Sequence, residues 1–446
     1  MLKKLIVISL FIWFALIYFW NVGGFSLSSW DEAWFGSISK DIVKKGNFFT
    51  PTFNGEPFYD HPPFGFWLQA ISQALFGFNE FGVRLPSVIW GILSLYFVYK
   101  LGQKWGTQLA GLLAMMILGT CIWFVLRTRS GNLDIIFIGN LLGSLFFATK
   151  VKEDDRYLPI MIVFLFISIL TKSALGFGVV LLCFIWLLPL KRQIIKKLLM
   201  GLIILTFLLS TWILLIKNSS GINPLAKMIE VGSRSGWQNL WNIGNIKNNL
   251  FYLHMGVEEW YYPMIIAIVV SLLFHKRKEF KFLWLWVIFY LGIFLLNRKT
   301  ELWHLIPVYP ALALILSLVI VRTKYLKILL IVFIVVVFVR QNIRLINLIK
   351  EQRGISPIVM LVKETNAIPG KFYLDDSDLP VAVYYSNCKV YPVKYLDSPF
   401  NEIAYLLKNA ESGSLVITSI GDLQKTDRLF MELKKIGNIS LVILKD

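Results

Sequence analysis

The sequence has few cysteines, few histidines and few charged residues, and each shortage excludes a class of protein. Of its 446 residues, 3 are cysteine and 4 are histidine. The cysteines, Cys121, Cys183 and Cys388, are too scattered for a disulfide framework or a cysteine-based metal site. Only 16% of the residues are charged whereas 57% are hydrophobic, which excludes a soluble multidomain protein.

Long apolar runs take up most of the chain. Runs of roughly 20 residues, enough to cross a bilayer, recur from the N terminus to about residue 340. Runs such as ILLIVFIVVVFV are apolar at every position, which excludes the alternating strands of a membrane β-barrel. The sequence therefore predicts an α-helical polytopic membrane protein with about eleven transmembrane helices. The predicted spans are 4–22, 86–103, 107–126, 133–149, 157–171, 175–190, 198–216, 261–275, 282–296, 305–321 and 325–340.

The formal net charge of +18 is not gathered in one stripe, so no nucleic-acid partner is expected. Basic residues instead occupy every second connection between spans, which is the positive-inside pattern for a cytoplasmic N terminus. This pattern predicts a multi-pass protein of the inner (cytoplasmic) membrane, with loop 23–85 and the C-terminal residues on the extracytoplasmic side. The first span lacks an A-x-A site and is predicted to be an uncleaved anchor, with a cleaved signal peptide as the alternative.

Two regions outside the spans have a pattern of their own. In loop 23–85, two surface helices are predicted around the turn sequence PTFNGEPFYDHPP. After Arg340 the pattern predicts four strands, KFYLDD, KVYPV, SLVITSI and SLVILKD, and two helices, SPFNEIAYLLKNA and DLQKTDRLFMELKKIG. The last strands follow the strand–helix–strand order that is typical of a parallel sheet. The predicted domains are a membrane domain, 1–340, and a small extracytoplasmic α/β domain, 341–446, with a structural or acceptor-contacting role.

Ionisable residues are costly beside lipid, yet the predicted topology brings many of them to the outer ends of the spans. Solvated loop residues and snorkelling anchors are the alternative explanation. Asp134 has two arginines within seven residues, so a salt bridge is the alternative to a catalytic role. The candidate functional residues are Asp31, Asp60, His61, Arg84, Arg127, Arg129, Asp134, Lys172, His254 and Lys299.

Ordered motifs across about residues 1–340 resemble the GT-C membrane glycosyltransferases, in the bacterial branch related to protein O-mannosyltransferases and lipid A aminoarabinose transferases. The first-loop sequence from DEAWFG to VRLPS is similar to the acidic, proline-containing first loop of that branch. The later segments RTRSGNLD, ILTKSALGFGVVLL, HMGVEEWYYP and KTELWHLIPVYPALALI follow in the family's order. His61 departs from the pattern, because the aminoarabinose branch has lysine there.

The resemblance implies a polyprenyl-phosphate sugar donor, with Asp31 at the position of the family's catalytic carboxylate. The chemistry also needs cations on the phosphate leaving group, and Arg84, Arg127, Arg129, Lys172 and Lys299 are the candidates. Asp60, His61 and His254 are candidate ligands of a divalent metal, namely zinc, magnesium or manganese. The predicted reaction is inverting transfer to a hydroxyl of a lipid, glycan or protein acceptor.

Two other functions stay open at this stage. A transporter or flippase of a lipid-linked sugar would favour charges near the bilayer midplane and inverted repeats, and the sequence has no evident repeat. A non-catalytic scaffold would leave the gathering of acids and cations at the outer turns unexplained.

Overall fold

The computed structural model describes residues 2–29, 31–189, 192–220, 223–224, 226, 243–295, 301–323, 325–368, 370–374, 378–386, 389–392, 410–419 and 429–445. Two compact units divide the chain. The helical unit comprises residues 1–20, 59–65 and 86–351, and the mixed unit comprises 21–58, 66–85 and 352–446. The boundary expected at 340/341 thus differs from this division, in which the first loop groups with the C-terminal residues.

Helices form most of the described chain, because long runs of Leu, Ile, Phe and Val satisfy their backbone hydrogen bonds internally in lipid. Those up to the middle of the chain are α1 Leu2–Phe19, α2 Asp31–Lys45, α3 Phe64–Phe76, α4 Glu80–Trp105, α5 Gln108–Leu118, α6 Ile122–Thr128, α7 Asp134–Val151, α8 Leu158–Thr171, α9 Ser173–Leu187 and α10 Arg192–Ser220. They are followed by α11 Ile243–Val257, α12 Tyr261–Ser271, α13 Lys278–Leu295, α14 Tyr309–Arg322, α15 Lys327–Glu351, α16 Pro357–Thr365 and α17 Leu379–Tyr385. Short 3-10 turns occupy Asp155–Tyr157, Glu258–Trp260, Leu272–Phe274 and Leu302–Val308.

A helix lies over each predicted span. Among the described residues, six helical stretches are long and apolar enough to cross a membrane, and the pair α5 and α6, bent by 74°, makes a seventh. The number of eleven crossings therefore remains a prediction. In the stretches that contain α7 and α14, 89% of the apolar window is buried, against 17% in α10 and 28% in α15. Helices α7 and α14 thus form the centre of the helical unit.

The mixed unit contains the two helices predicted in the first loop, α2 and α3, and a C-terminal sheet. Strands β1 Thr52–Phe53 and β2 Glu56–Pro57 form a hairpin in the predicted turn. The five-stranded sheet has the order β4-β3-β5-β7-β6. Its strands are β3 Phe372–Leu374, β4 Val390–Pro392, β5 Leu415–Ser419, β6 Phe430–Ile436 and β7 Ile439–Leu444.

The sheet contradicts two of the sequence predictions. Strands β3, β4 and β5 are parallel, but β5 pairs with β7 in the antiparallel direction. The segment predicted as a helix, DLQKTDRLFMELKKIG, ends as strand β6, which is antiparallel to β7 and joined to it by Gly437 and Asn438. Gly437 has φ +60°, a conformation that a two-residue hairpin loop of this kind requires and that glycine adopts without strain. The other predicted helix, 398–410, lies almost wholly outside the described residues.

Segments far apart in the sequence close the mixed unit. Gly354 accepts a backbone hydrogen bond from Ser26 and donates one to Gly24, both with 3.2 Å between nitrogen and oxygen. The hydroxyl of Tyr385 accepts a hydrogen bond from the Leu27 N–H at 2.9 Å. A shared apolar cluster consists of Leu27, Ala33, Val83, Val359, Val381 and Tyr384.

Candidate functional site

Three charged side chains meet in the helical unit where α7 begins. The Arg127 Nη2 lies 2.5 Å from the Asp134 Oδ2, and the Lys172 ammonium donates to the other carboxylate oxygen, Oδ1. The side chains are 8%, 7% and 15% exposed for Arg127, Asp134 and Lys172, respectively. Two cations thus share one carboxylate in a poorly solvated place.

The turn before α7 is held by Asn132. Its Oδ1 accepts the backbone N–H groups of Asp134 and Ile135 at 2.9 and 3.3 Å, while its Nδ2 donates to the carbonyl groups of Arg127 and Ser130. Ser87 Oγ donates to the Asn132 carbonyl at 3.0 Å. A buried asparagine therefore satisfies the first N–H groups of the helix and fixes the Asp134 carboxylate at its N-terminal end.

Lys172 reaches the cluster from the junction of α8 and α9. It interrupts the helical backbone with an extended conformation, φ −144° and ψ 90°. A Cβ added at Gly176 would lie 2.5 Å from the Ile169 Cα, so the two helices pack closely beside this break. The interruption separates α8 from α9 and turns the lysine toward Asp134.

The guanidinium of Arg127 also stacks on an aromatic ring. Its Cζ lies 4.6 Å from the ring centroid of Trp303, which packs against Trp123 at 5.7 Å between centroids. Cation–π contact and the carboxylate together fix the plane of the guanidinium. The sequence pattern did not single out Trp303 as part of the site.

Arg129, predicted to bind phosphate, is 1% exposed and makes contacts typical of a helix cap. Its Nη1 donates to the carbonyl oxygens of Ile17 and Tyr18 at 2.7 and 3.2 Å. These carbonyls lie in the last turn of α1, where a cation is favoured by the helix dipole. Arg129 thus ties the first helix to the turn that carries Arg127.

Arg84, the other arginine predicted to bind phosphate, is fully buried in the mixed unit. Its Nε and Nη2 bind the two Glu32 carboxylate oxygens at 2.6 and 3.0 Å. The remaining donors reach the carbonyl oxygens of Val22, Phe25 and Ser26 at 2.7–3.0 Å. All five N–H donors of the guanidinium are used within the protein, so this arginine has none left for a phosphate.

The remaining candidates lie on other elements of the chain. Asp31 begins α2 and is half-buried, and Asp60 and His61 are half-buried before α3. His254, on α11, packs against Tyr261 with 4.8 Å between ring centroids. Among the described residues no three His, Cys, Asp or Glu side chains come close enough to hold a metal, so Asp60, His61 and His254 do not form the predicted three-ligand site. Lys299 lies outside the described residues.

Sequence comparison relates the chain to sugar transferases. A family model described as dolichyl-phosphate-mannose-protein mannosyltransferase matches residues 60–215. An undecaprenyl phosphate-alpha-4-amino-4-deoxy-L-arabinose arabinosyl transferase of Pseudomonas savastanoi is 40% identical over 91 residues, which are 20% of this chain and 17% of that protein. An uncharacterised protein of Aquifex aeolicus is 26% identical over 71% of the chain. The match covers 63% of that relative, so the chain spans less than two thirds of the length of these sequence relatives.

Comparison with solved structures extends over nearly the whole chain. ArnT from Cupriavidus metallidurans, in a crystal structure bound to undecaprenyl phosphate, matches with a TM-score of 0.77 at 15% identity, covering 98% of this chain and 97% of that one. The Archaeoglobus fulgidus oligosaccharyltransferase matches with a TM-score of 0.57 at 12% identity, covering 93% of this chain and 69% of that one. At such low identities these similarities show the fold, which is that of the GT-C membrane proteins.

Proposed function

We propose that this chain, a multi-pass GT-C fold protein related to aminoarabinose transferases and protein O-mannosyltransferases, is an inverting glycosyltransferase. It moves a sugar from a polyprenyl-phosphate donor to an acceptor hydroxyl. The observation that carries this proposal is the pairing of two cations, Arg127 and Lys172, on one buried carboxylate, Asp134, within such a fold. A phosphate monoester or diester is the natural counter-ion for a bidentate guanidinium beside an ammonium.

In the proposed reaction the acceptor oxygen attacks the anomeric carbon as the bond from that carbon to the phosphate oxygen breaks. The bonding electrons leave with polyprenyl phosphate, whose growing negative charge is stabilised by Arg127 and Lys172. The acceptor proton passes to a carboxylate, for which Asp31 is the candidate on the basis of its sequence resemblance. Attack opposite to the leaving phosphate inverts the anomeric centre.

Asp134 has a different role in this proposal from that of a base. A carboxylate that accepts hydrogen bonds from both Arg127 and Lys172 has little tendency to take a proton. It instead keeps two like charges close together before the donor arrives, so Asp134 is a positioning residue. This choice favours the salt-bridge alternative that its sequence position had left open.

No step of the proposed reaction uses the divalent zinc, magnesium or manganese ion predicted from the sequence. The three residues predicted as its ligands, Asp60, His61 and His254, do not form one site among the described residues. Arg127 and Lys172 already supply positive charge for the leaving phosphate. Arg84 is also outside the proposed phosphate site because its donors are used by Glu32 and backbone carbonyls.

We place the reaction at the extracytoplasmic face of the cytoplasmic membrane. Support comes from the alternation of basic connections, which assigns the turns of Arg127 and Lys172 to the outer side. The mixed unit, predicted to be outside, is the proposed acceptor-contacting part.

The deciding experiment follows donor cleavage by the purified full-length protein reconstituted into sealed liposomes. Undecaprenyl phosphate carrying a radiolabelled sugar is incubated with a bacterial envelope extract as the source of acceptors. Release of undecaprenyl phosphate with appearance of labelled glycan supports transfer. Movement of label across the bilayer with the donor intact would contradict it and support a transporter.

Matched arginine variants connect this activity to the cluster. Arg127→Gln should lower donor cleavage at least tenfold, in line with the loss of a charge-assisted hydrogen bond of about 1.5–3 kcal/mol. Arg156→Gln is the control, since Arg156 pairs with Asp154 but is 87% exposed. Equal loss in the two variants would remove Arg127 from the proposed phosphate site.

A further inference from the structure

A charged pocket, separate from the Arg127–Asp134–Lys172 cluster, lies in the helical unit where the apolar stretch 244–274 is interrupted. The interruption is the 3-10 turn Glu258–Trp260, and Glu258 has φ +48°, a left-handed conformation that residues other than glycine rarely adopt. Three contacts fix the break. Gln341 Nε2 donates to the Val257 carbonyl at 3.1 Å, Trp260 Nε1 donates to Thr120 Oγ1 at 2.9 Å, and Arg344 Nε lies 2.7 Å from Glu258 Oε2.

The pocket has a volume of about 410 Å³ and lies between this turn and the C-terminal half of α15. Arg340 and Arg344 line it from successive turns of the helix, and Glu259 lines it from the 3-10 turn. The Arg340 Nη2 lies 3.1 Å from Glu259 Oε1. The other lining residues are Ile343, Asn347, Leu348 and Glu351.

Each arginine keeps hydrogen-bonding capacity toward the pocket. A guanidinium has five N–H donors, and the side chains of Arg340 and Arg344 are 68% and 56% exposed although each has a carboxylate partner. Glu351, at the end of α15, forms no ion pair within the described part of the chain. The pocket therefore presents available cationic donors at one end and an uncompensated carboxylate at the other.

The helix below the pocket carries an apolar stripe for lipid. Residues spaced by three or four along α15 are large, apolar and 49–78% exposed: Ile328, Val332, Val336, Val339 and Ile343. The row that contains Val332 and Val336 continues, again in steps of four, to Arg340 and Arg344. Acyl chains against this stripe would thus bring a lipid headgroup to the pocket.

We propose that this pocket binds a membrane lipid whose headgroup carries both a phosphate and a primary ammonium group. The phosphate binds the free donors of Arg340 and Arg344, and the ammonium binds Glu351. The Cα atoms of Arg344 and Glu351 are separated by about 10 Å along the helix axis, a distance that two long side chains and a short zwitterionic headgroup bridge together.

The balance of charge favours a zwitterion over an anionic lipid. Two carboxylates, Glu259 and Glu351, line the pocket with the two guanidinium groups, and a third, Glu258, pairs with Arg344 from outside the lining. A headgroup with a phosphate alone would add negative charge to a site that already has one excess carboxylate, whereas an ammonium compensates it. A quaternary ammonium has no N–H donor, so phosphatidylcholine should bind less tightly than phosphatidylethanolamine.

The test measures lipid retained by the detergent-purified full-length protein, using native mass spectrometry after exchange into dioleoyl phosphatidylethanolamine, phosphatidylcholine or phosphatidylglycerol. The wild type should retain phosphatidylethanolamine about tenfold more tightly than the other two, the ratio expected for one charge-assisted hydrogen bond. Glu351→Gln should abolish this preference, since it removes the carboxylate but leaves both arginine ion pairs intact. Lys350→Gln is the matched control, because Lys350 is exposed on the same helix but does not line the pocket.

Arg344→Gln adds a second arm, and it should weaken retention of all three phospholipids. Equal retention of the three lipids by the wild type would overturn the proposal, as would stronger retention of phosphatidylglycerol. A preference unchanged in Glu351→Gln would overturn the assigned role of Glu351. None of these readouts requires sugar transfer, so they stand apart from the proposed enzymatic activity.

Discussion

Replacing Asp134 by asparagine isolates the charge of the central carboxylate. The substitution preserves side-chain size, and the backbone N–H of residue 134 can still donate to Asn132 Oδ1. What it removes is the negative charge shared by Arg127 and Lys172. Two cations would then face each other in a site where all three side chains are at most 15% exposed.

The structure sets the size of the expected effect. Removing one partner from a buried ion pair costs about 3–5 kcal/mol, because the remaining charge stays desolvated without compensation. For a chain of 446 residues, with an unfolding entropy of about 0.9 kcal/mol/K, we expect an apparent Tm lower by about 3–5 °C. The exposed pair Asp154–Arg156 supplies the comparison, since surface pairs contribute about 0–1 kcal/mol and Asp154→Asn should change the Tm little.

The assay is thermal unfolding of the purified protein in detergent, with and without undecaprenyl phosphate. If the two cations bind phosphate, the ligand replaces the missing charge and should raise the Tm of Asp134→Asn more than that of the wild type. The double variant Asp134→Asn with Lys172→Gln should regain part of the lost stability, because only one cation remains. An Asp134→Asn protein as stable as Asp154→Asn would refute the coupling, and a ligand effect absent from Asp134→Asn would refute phosphate binding at the cluster.

Three further predictions concern the mixed unit. Asp31→Asn should keep the wild-type Tm and abolish sugar transfer, and near-normal turnover in the transfer assay would remove Asp31 from the mechanism. Arg84→Lys should lower the free energy of unfolding by about 3 kcal/mol, because an ammonium cannot replace the paired bonds to Glu32, and an unchanged midpoint in thermal unfolding would contradict this. Burial lowers the pKa of Lys40, which donates to the Tyr384 carbonyl, from 10.5 to about 8. Between these pH values the unfolded chain binds more protons than the folded protein, so the contribution of Lys40 to stability rises from pH 8 to 10.5. The measurement is the Tm as a function of pH for the wild type and for Lys40→Met. Parallel curves for the two proteins would contradict this contribution of Lys40.

Local pattern predicted the positions of the helices well because apolar runs in lipid have few alternatives to helical structure. It was less effective at the C terminus. The segment around FMELKKI has helical spacing of apolar residues, but it forms the exposed edge strand β6, whose central residues are solvent-exposed. The Gly-Asn pair before Ile439 was the available signal for a hairpin, since glycine there supports a two-residue turn.

The candidate site shows what spacing cannot provide. Arg127 and Asp134 are seven residues apart, so their pairing was foreseen as an alternative to catalysis. Lys172 joins them from 38 residues away, and Glu32 meets Arg84 across 52 residues. Tertiary packing determines such partners. It therefore determines whether the donors of an arginine bind groups of the protein itself or remain available to a ligand. From charge type alone Arg84 and Arg127 were equivalent candidates.

The closure of the mixed unit by distant segments has a consequence for biogenesis. Leu27, Ala33 and Val83 leave the ribosome before the helical stretch 86–351, but Val359, Val381 and Tyr384, which complete their apolar cluster, are made only after it. During most of translation this surface needs the insertion machinery, a chaperone or lipid to shield it. A nonsense mutation shortly after residue 351 would therefore impair the maturation of the first loop as well as remove the five-stranded sheet, and quality-control proteases would be expected to degrade the product.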